Sequence, residues 1–261
     1  MAILRHPDVR RMLLLMKSQT EAMRALACVV AAAMDAARCH PDAERRAASQ
    51  AFVDLMIPIV KGWSTENSID IASLGIQVHG GMGYVEETGA AQIFRDSRIT
   101  TIYEGTTGIQ AADLMGRKVA RDGGTAIRRV ISEMRQVEAQ LENGSSPGLS
   151  AIAARLRDGI VALDAAVEFV LSTYGKDVRR ASVGAVPFLH LFGIVAGGWQ
   201  MARSALAAHR HVVAGRGDGF LRAKLATARF YADHVLVRAG GLSLEVVDGS
   251  EGALAIEDEH F

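Results

Sequence analysis

Residues 74–110 read LGIQVHGGMGYVEETGAAQIFRDSRITTIYEGTTGIQ, and they place two glycine-bearing reversals between helix-forming runs. In the first, His79-Gly80-Gly81-Met82-Gly83-Tyr84, three glycines fall within four positions. Glycine tolerates positive φ and lets another group approach bare backbone. With Gln77, Val78 and His79 beside it, such a turn can present N–H groups to a phosphate or ribose. A tight helix–helix turn explains the same residues equally well. In the second reversal, Tyr103-Glu104-Gly105-Thr106, a carboxylate follows Ile102 and Tyr103 at a change of chain direction. That setting favours partial burial, the condition that raises a carboxyl pKa and suits a general base. Gly105 leaves room for a ligand, and Thr106 or Thr107 can cap the helix that follows. A solvated acid beside an ordinary cap is the competing account.

Outward from this stretch the apolar spacing is helical. Met12, Leu15, Met16, Met23, Leu26 and Val30 recur at three- and four-residue steps, predicting a helix that opens at His6-Pro7-Asp8 and stops near His40-Pro41. Asp42 and Glu44 start a second helix through Phe52, Leu55 and Met56, which Pro58 ends or kinks. A third carries Ile59 to Leu74 with an interruption near Ser64-Thr65. Short helices are expected over 92–101 and 107–120. Arg121-Asp122-Gly123-Gly124 is a break. Beyond it, helices are expected over 127–141, 152–171, 183–213 and 220–239, with a loop at 143–148 and an acidic tail, EGALAIEDEHF. No alternating strand pattern occurs. The expected fold is all-α, with helix above roughly 60% of residues against an ordinary third. Two helical bundles are expected, 1–121 and 122–261.

Lys+Arg 29 balance Asp+Glu 29, and residues 1–46 carry eight basic against five acidic residues. That is too mild for a nucleic-acid surface. Cys28 and Cys39 lie eleven residues apart in one helix, a rise of roughly 16 Å. A disulfide needs Cα atoms within about 7 Å, so two free thiols and a cytoplasmic setting are expected. The opening MAILRHPDVRRM does not read as a leader. Residues 183–199, VGAVPFLHLFGIVAGGW, approach the length of a membrane span but carry Pro187, Gly193, Gly197, Gly198 and His190. A central buried helix, with His190 a core residue holding one hydrogen bond, is the expectation. His209 and His211 are two apart and point to different helix faces, and no metal site is expected.

The two motifs together, joined by Phe94-Arg95-Asp96, resemble the C-terminal helical domain of the FAD-dependent acyl-CoA dehydrogenases. The likeness covers about residues 1–120. The region from about 125 onward resembles a helical domain appended in one bacterial branch of that family. The resemblance implies α,β-dehydrogenation of an acyl-CoA thioester, with Glu104 removing the α-proton and its N–H helping hold the thioester carbonyl. Tyr103 and Gly105 would meet the substrate. Gln77, Val78, His79, Gly80 and Gly81 would meet the FAD of a neighbouring subunit, and Thr106, Thr107 and Gly108 would make a second FAD contact. Arg95 would pair within the bundle, while Glu86 and Glu87 would be solvated. It also implies a homo-oligomer and an electron-transfer flavoprotein as redox partner. In the family, an N-terminal helical domain, a middle β domain and an arginine-bearing helix precede this bundle. None of these is among the 261 residues. The expectation is therefore a chain that carries the base without most of the flavin pocket and retains no FAD alone. A non-catalytic oligomerisation module and the DNA-repair-linked branch of the same fold are the alternatives.

Overall fold

A computed structural model describes every residue except Met1 and Ser145, the latter in the loop expected at 143–148. The chain is 86% helical, with no strand among the described residues. Helix α1, Pro7–Cys39, starts with proline at its first position and Asp8 in its first turn, both favourable at a helix N-terminus. It turns at Pro41 into α2, Ala43–Pro58, where the Asp42 carboxylate accepts from the Glu44 N–H at 2.9 Å. Cys28 and Cys39 are free and exposed on α1.

Pro58 does not end this helix. The chain widens into a π-helical turn, Ile59–Trp63, and continues as α3, Ser64–His79, without interruption at Ser64-Thr65. Proline supplies no N–H, and a π turn is one way for a helix to absorb the mismatch. The Thr65 hydroxyl donates to the Lys61 and Gly62 carbonyls at 2.8 and 3.1 Å and so helps satisfy the widened turn. Then come α4, Gly81–Tyr84; α5, Ala90–Ile99; and α6, Thr107–Ala112, which runs on as a π-helical segment to Ala120.

After Gly123 and Gly124, both at positive φ, α7, Thr125–Glu142, pairs with α8, Pro147–Thr173. A short α9, Val178–Val183, leads into α10, Ala185–His211. Helices α11, Gly219–His234, α12, Ala239–Asp248, and α13, Ser250–Leu254, complete the chain.

Helix α10 is the axis of the fold. It touches α1, α6, α7, α8, α11 and α12, and 83% of its most apolar window is buried. Its glycines explain how. Trp63, fully buried, lies against Gly193, where an added Cβ would fall 2.2 Å from the Trp63 Cγ. At Gly197 an added Cβ would meet the Tyr231 hydroxyl at 2.5 Å and the far edge of Trp63 at 2.7 Å. Tyr231 donates to the Ile194 carbonyl at 3.0 Å. One helix thus receives an aromatic anchor from each half of the sequence, and both halves contribute to one hydrophobic core. Lys224 on α11 also pairs with Glu21 on α1 at 2.5 Å.

Candidate functional site

The second reversal, after α5, is built by backbone geometry. Glu104 has φ 53°, the single non-glycine residue with positive φ among those described, and Gly105 follows at φ 91°. A left-handed residue that carries a Cβ costs roughly 1–2 kcal/mol, so the surroundings must hold it. They do so from both directions. The Thr107 N–H donates to the Thr101 carbonyl at 3.1 Å, and the Thr106 hydroxyl accepts from the Ile109 N–H at 3.3 Å, capping α6. Two longer ties come from the proline-widened helix. The Lys61 ammonium donates to the Gly105 carbonyl at 2.5 Å, and the Thr107 hydroxyl donates to the Glu66 carboxylate. Gly105 is obligatory for its φ, and a Cβ there would also stand 2.8 Å from the Gln110 amide nitrogen.

Glu104 itself is exposed, contrary to the partial burial expected of it. Tyr103 is half exposed, and Gly108 is exposed in the first turn of α6. Thr107 is buried, with its hydroxyl committed to Glu66 and its N–H to the Thr101 carbonyl, so a ligand would meet it by packing rather than through a free donor.

At the first reversal, Gly80 takes φ 62° and ψ −145°, and Gly83 approaches the preceding helix so closely that a Cβ would lie 2.3 Å from the Ile76 carbonyl oxygen. Gly81 has open space where a side chain would stand. Gln77 and His79 are exposed, Val78 is half-buried, and His79 Nδ1 donates to the Gly75 carbonyl at 2.7 Å. The bare backbone at Gly80 and Gly81 suits a flat or phosphate-bearing group such as FAD. The two reversals do not converge. Glu66 meets Thr107 in the first turn of α3, while the glycine turn follows its last, so they lie roughly 16–20 Å apart along the helix.

Arg95 finds its partner in Glu86, as a two-pronged pair with both distances 2.8 Å. The guanidinium holds the Glu86 carboxyl below its ordinary range. Glu86 is therefore engaged rather than simply solvated, although the pair is exposed. His190 also departs from expectation. It is half-buried and lines a cavity of about 510 Å³ together with Glu66, Asp70, Arg238 and Glu245. Burial pushes its pKa down, against the pull of the three carboxylates.

Lys61 and Glu66 are the site residues that sequence reasoning missed. One signal was available for Lys61, a lysine within the otherwise apolar run MIPIVKGW, where a charge calls for a partner. Around the reversals, Met82, Tyr84, Ile93, Ile99, Ile102 and Ile109 are exposed.

A family model described as acyl-CoA dehydrogenase, C-terminal domain, matches residues 1–119, and one described as acetyl-CoA dehydrogenase C-terminal like matches 130–257. The chain is 46% identical over 252 residues to 3-methylmercaptopropionyl-CoA dehydrogenase of Ruegeria pomeroyi, covering 97% of this chain and 42% of that protein. It is 34% identical to the broad-specificity linear acyl-CoA dehydrogenase FadE5 of Mycobacterium tuberculosis, covering 90% and 40%. The chain thus spans about two fifths of the length of these relatives. In fold it matches a crystal structure of an acyl-CoA dehydrogenase complexed with FAD from Bacillus anthracis, with a TM-score of 0.73 at 17% identity, covering 97% of this chain and 45% of that one.

Proposed function

The chain belongs to the acyl-CoA dehydrogenase family, and on that premise we propose that it supplies the proton-abstracting part of an acyl-CoA α,β-dehydrogenase, with Glu104 as the base. The observation that carries this is the backbone at Glu104, a non-glycine residue held left-handed in a loop closed by the Thr107 N–H on the Thr101 carbonyl and tied just beyond Glu104 to Lys61 and Glu66. Strain of this kind persists where the surroundings enforce it, and it aims a side chain that would otherwise point elsewhere.

In this reading the Glu104 carboxylate takes the proton from Cα of the thioester. The negative charge left on the substrate develops toward the thioester oxygen, where the Glu104 N–H donates. Gly105 lets the acyl-CoA lie against bare backbone, and Tyr103 flanks it. When bound, FAD would supply the hydride acceptor for the β-hydrogen. Gln77, Val78, His79, Gly80 and Gly81 would meet the FAD of a neighbouring copy, in keeping with their distance from Glu104. The backbone of Thr106, Thr107 and Gly108 would meet the copy's own. The exposed apolar side chains around both reversals are then covered by further domains and by a second copy. An electron-transfer flavoprotein would take the electrons onward. Alone, the 261 residues are expected to turn over no substrate and to retain no flavin.

The test joins this chain to the R. pomeroyi relative in place of its matching segment and follows anaerobic flavin bleaching by acyl-CoA. Glu104→Gln should slow bleaching by at least about 10²–10⁴-fold, the usual worth of a general base, with acyl-CoA binding retained. Glu87→Gln should stay within a few-fold. Unchanged bleaching in Glu104→Gln, or an equal loss in Glu87→Gln, removes the base assignment and leaves a helical interaction module.

A further inference from the structure

Glu104 and Gly105 are consecutive left-handed residues on an exposed loop, and the local bonds of that loop belong to its flanks. The Thr106 cap and the Thr107 N–H fix the start of α6, and the Glu104–Gly105 peptide itself makes no hydrogen bond among the described residues. What bonds that peptide's neighbourhood is the Lys61 ammonium on the Gly105 carbonyl and the Glu66 carboxylate on the Thr107 hydroxyl. Lys61 and Glu66 are five residues apart on one helix, on either side of Trp63. Lys61 is half-buried and makes no ion pair among the described residues, so its charge is directed at a backbone carbonyl. A charge-assisted bond of this kind is stronger than a neutral one. Trp63 is fully buried against Gly193 and Gly197 of α10, so the platform bearing both ties is backed by the second half of the chain.

We propose that Lys61 and Glu66 are positioning residues that clamp the 103–107 reversal and hold Glu104 in its proton-abstracting geometry, with α10 as the backing of the clamp. This rests on the assignment of Glu104 as the base. The clamp touches neither substrate nor the reacting proton and acts through the orientation of Glu104. Its loss should therefore slow proton abstraction far more than it weakens acyl-CoA binding, to which Tyr103 and Gly105 of the same loop contribute only part. A misplacement of about 1 Å in a reacting group costs on the order of 100-fold in rate.

The experiment uses the same chimera and, separately, the 261-residue chain. In the chimera, Lys61→Met should slow bleaching at saturating acyl-CoA by about 10–100-fold. Acyl-CoA affinity should stay within a few-fold and flavin content unchanged, and Lys61→Arg should recover most of the rate. In a Glu104→Gln background, Lys61→Met should add almost nothing, because the two act as one unit. In the chain alone, Lys61→Met should speed hydrogen exchange at the amides of residues 103–107 while the amides of α10 stay protected. Should Lys61→Met fail to fold, Glu66→Leu carries the same expectations. If Glu104→Gln bleaches normally, the base assignment is wrong. If Glu104→Gln is slow while Lys61→Met bleaches at the parent rate with unchanged loop exchange, the base stands and the clamp is refuted. A Lys61→Met loss that multiplies fully with that of Glu104→Gln also refutes it.

Discussion

Gly193→Ala tests the packing that joins the two halves of the chain. An alanine Cβ at this position would lie 2.2, 2.5 and 2.7 Å from Cγ, Cδ1 and Cβ of Trp63. Carbon atoms pack at about 3.5–4.0 Å, so the overlap exceeds 1 Å. All three atoms belong to the inner end of the indole side chain, so a change of its outer torsion cannot clear the clash. Either α10 or the Ile59–Trp63 turn must move. Overpacking a core costs about 1–3 kcal/mol, and an overlap this deep belongs at the upper end. Replacing glycine by alanine inside a helix returns about 1 kcal/mol. The net loss is about 2 kcal/mol, which lowers Tm by about 4–8 °C in a chain of this size. Gly75→Ala is the matched control, since Gly75 also lies inside a helix but has nothing within 4 Å of its added Cβ. It should stabilise by about 0.5–1 kcal/mol. Thermal unfolding followed by far-ultraviolet circular dichroism reads both. If Gly193→Ala melts at or above the parent temperature, Trp63 is not seated on Gly193 and the joint between the halves is misassigned.

Burial pushes the Tyr231 phenol well up, so alkaline titration of the folded chain should release fewer phenolates than its four tyrosines give when unfolded. The folded state then keeps a proton that the unfolded state loses, so stability should fall as pH rises above about 10, and Tyr231→Phe should remove that dependence at a cost of about 0.5–1.5 kcal/mol. The His190 pKa is lowered from its ordinary 6.5, so the unfolded chain takes up a proton that the folded chain refuses. Stability should fall as pH drops through about 6.5 and level off once the folded imidazole protonates, and His190→Gln should flatten that limb in pH-dependent denaturant melts. The purified chain should be colourless and should sediment as a self-associated species through its exposed apolar face. A stoichiometric flavin band or a clean monomer at micromolar concentration would count against the proposed architecture.

Most of the helical plan was legible because its causes are local. Pro7 and Asp8 start α1, Pro41 and the Asp42 cap separate it from α2, and the Gly123-Gly124 pair stops the run before α7, each within the four-residue reach of a helix end. The burial of α10 followed from its composition. The two reversals at 80–83 and 104–105 announced themselves through glycines that the backbone requires. Pro58 is where a local rule failed. Proline ordinarily ends a helix, but Thr65 hydroxyl bonds and the seating of Trp63 on α10 carry the chain through as a π turn. The rest depended on which faces meet. Lys61 and Gly105 are 44 residues apart, Glu66 and Thr107 are 41, and Tyr231 reaches Ile194 across 37. The sequence alone therefore determined that Glu104 sits in a glycine-assisted reversal before a capped helix. That its backbone is left-handed, and that a lysine from a proline-widened turn holds the adjoining carbonyl, was decided only when α10 brought the distant segments together, because no periodicity or cap encodes a contact between residues so far apart in the chain.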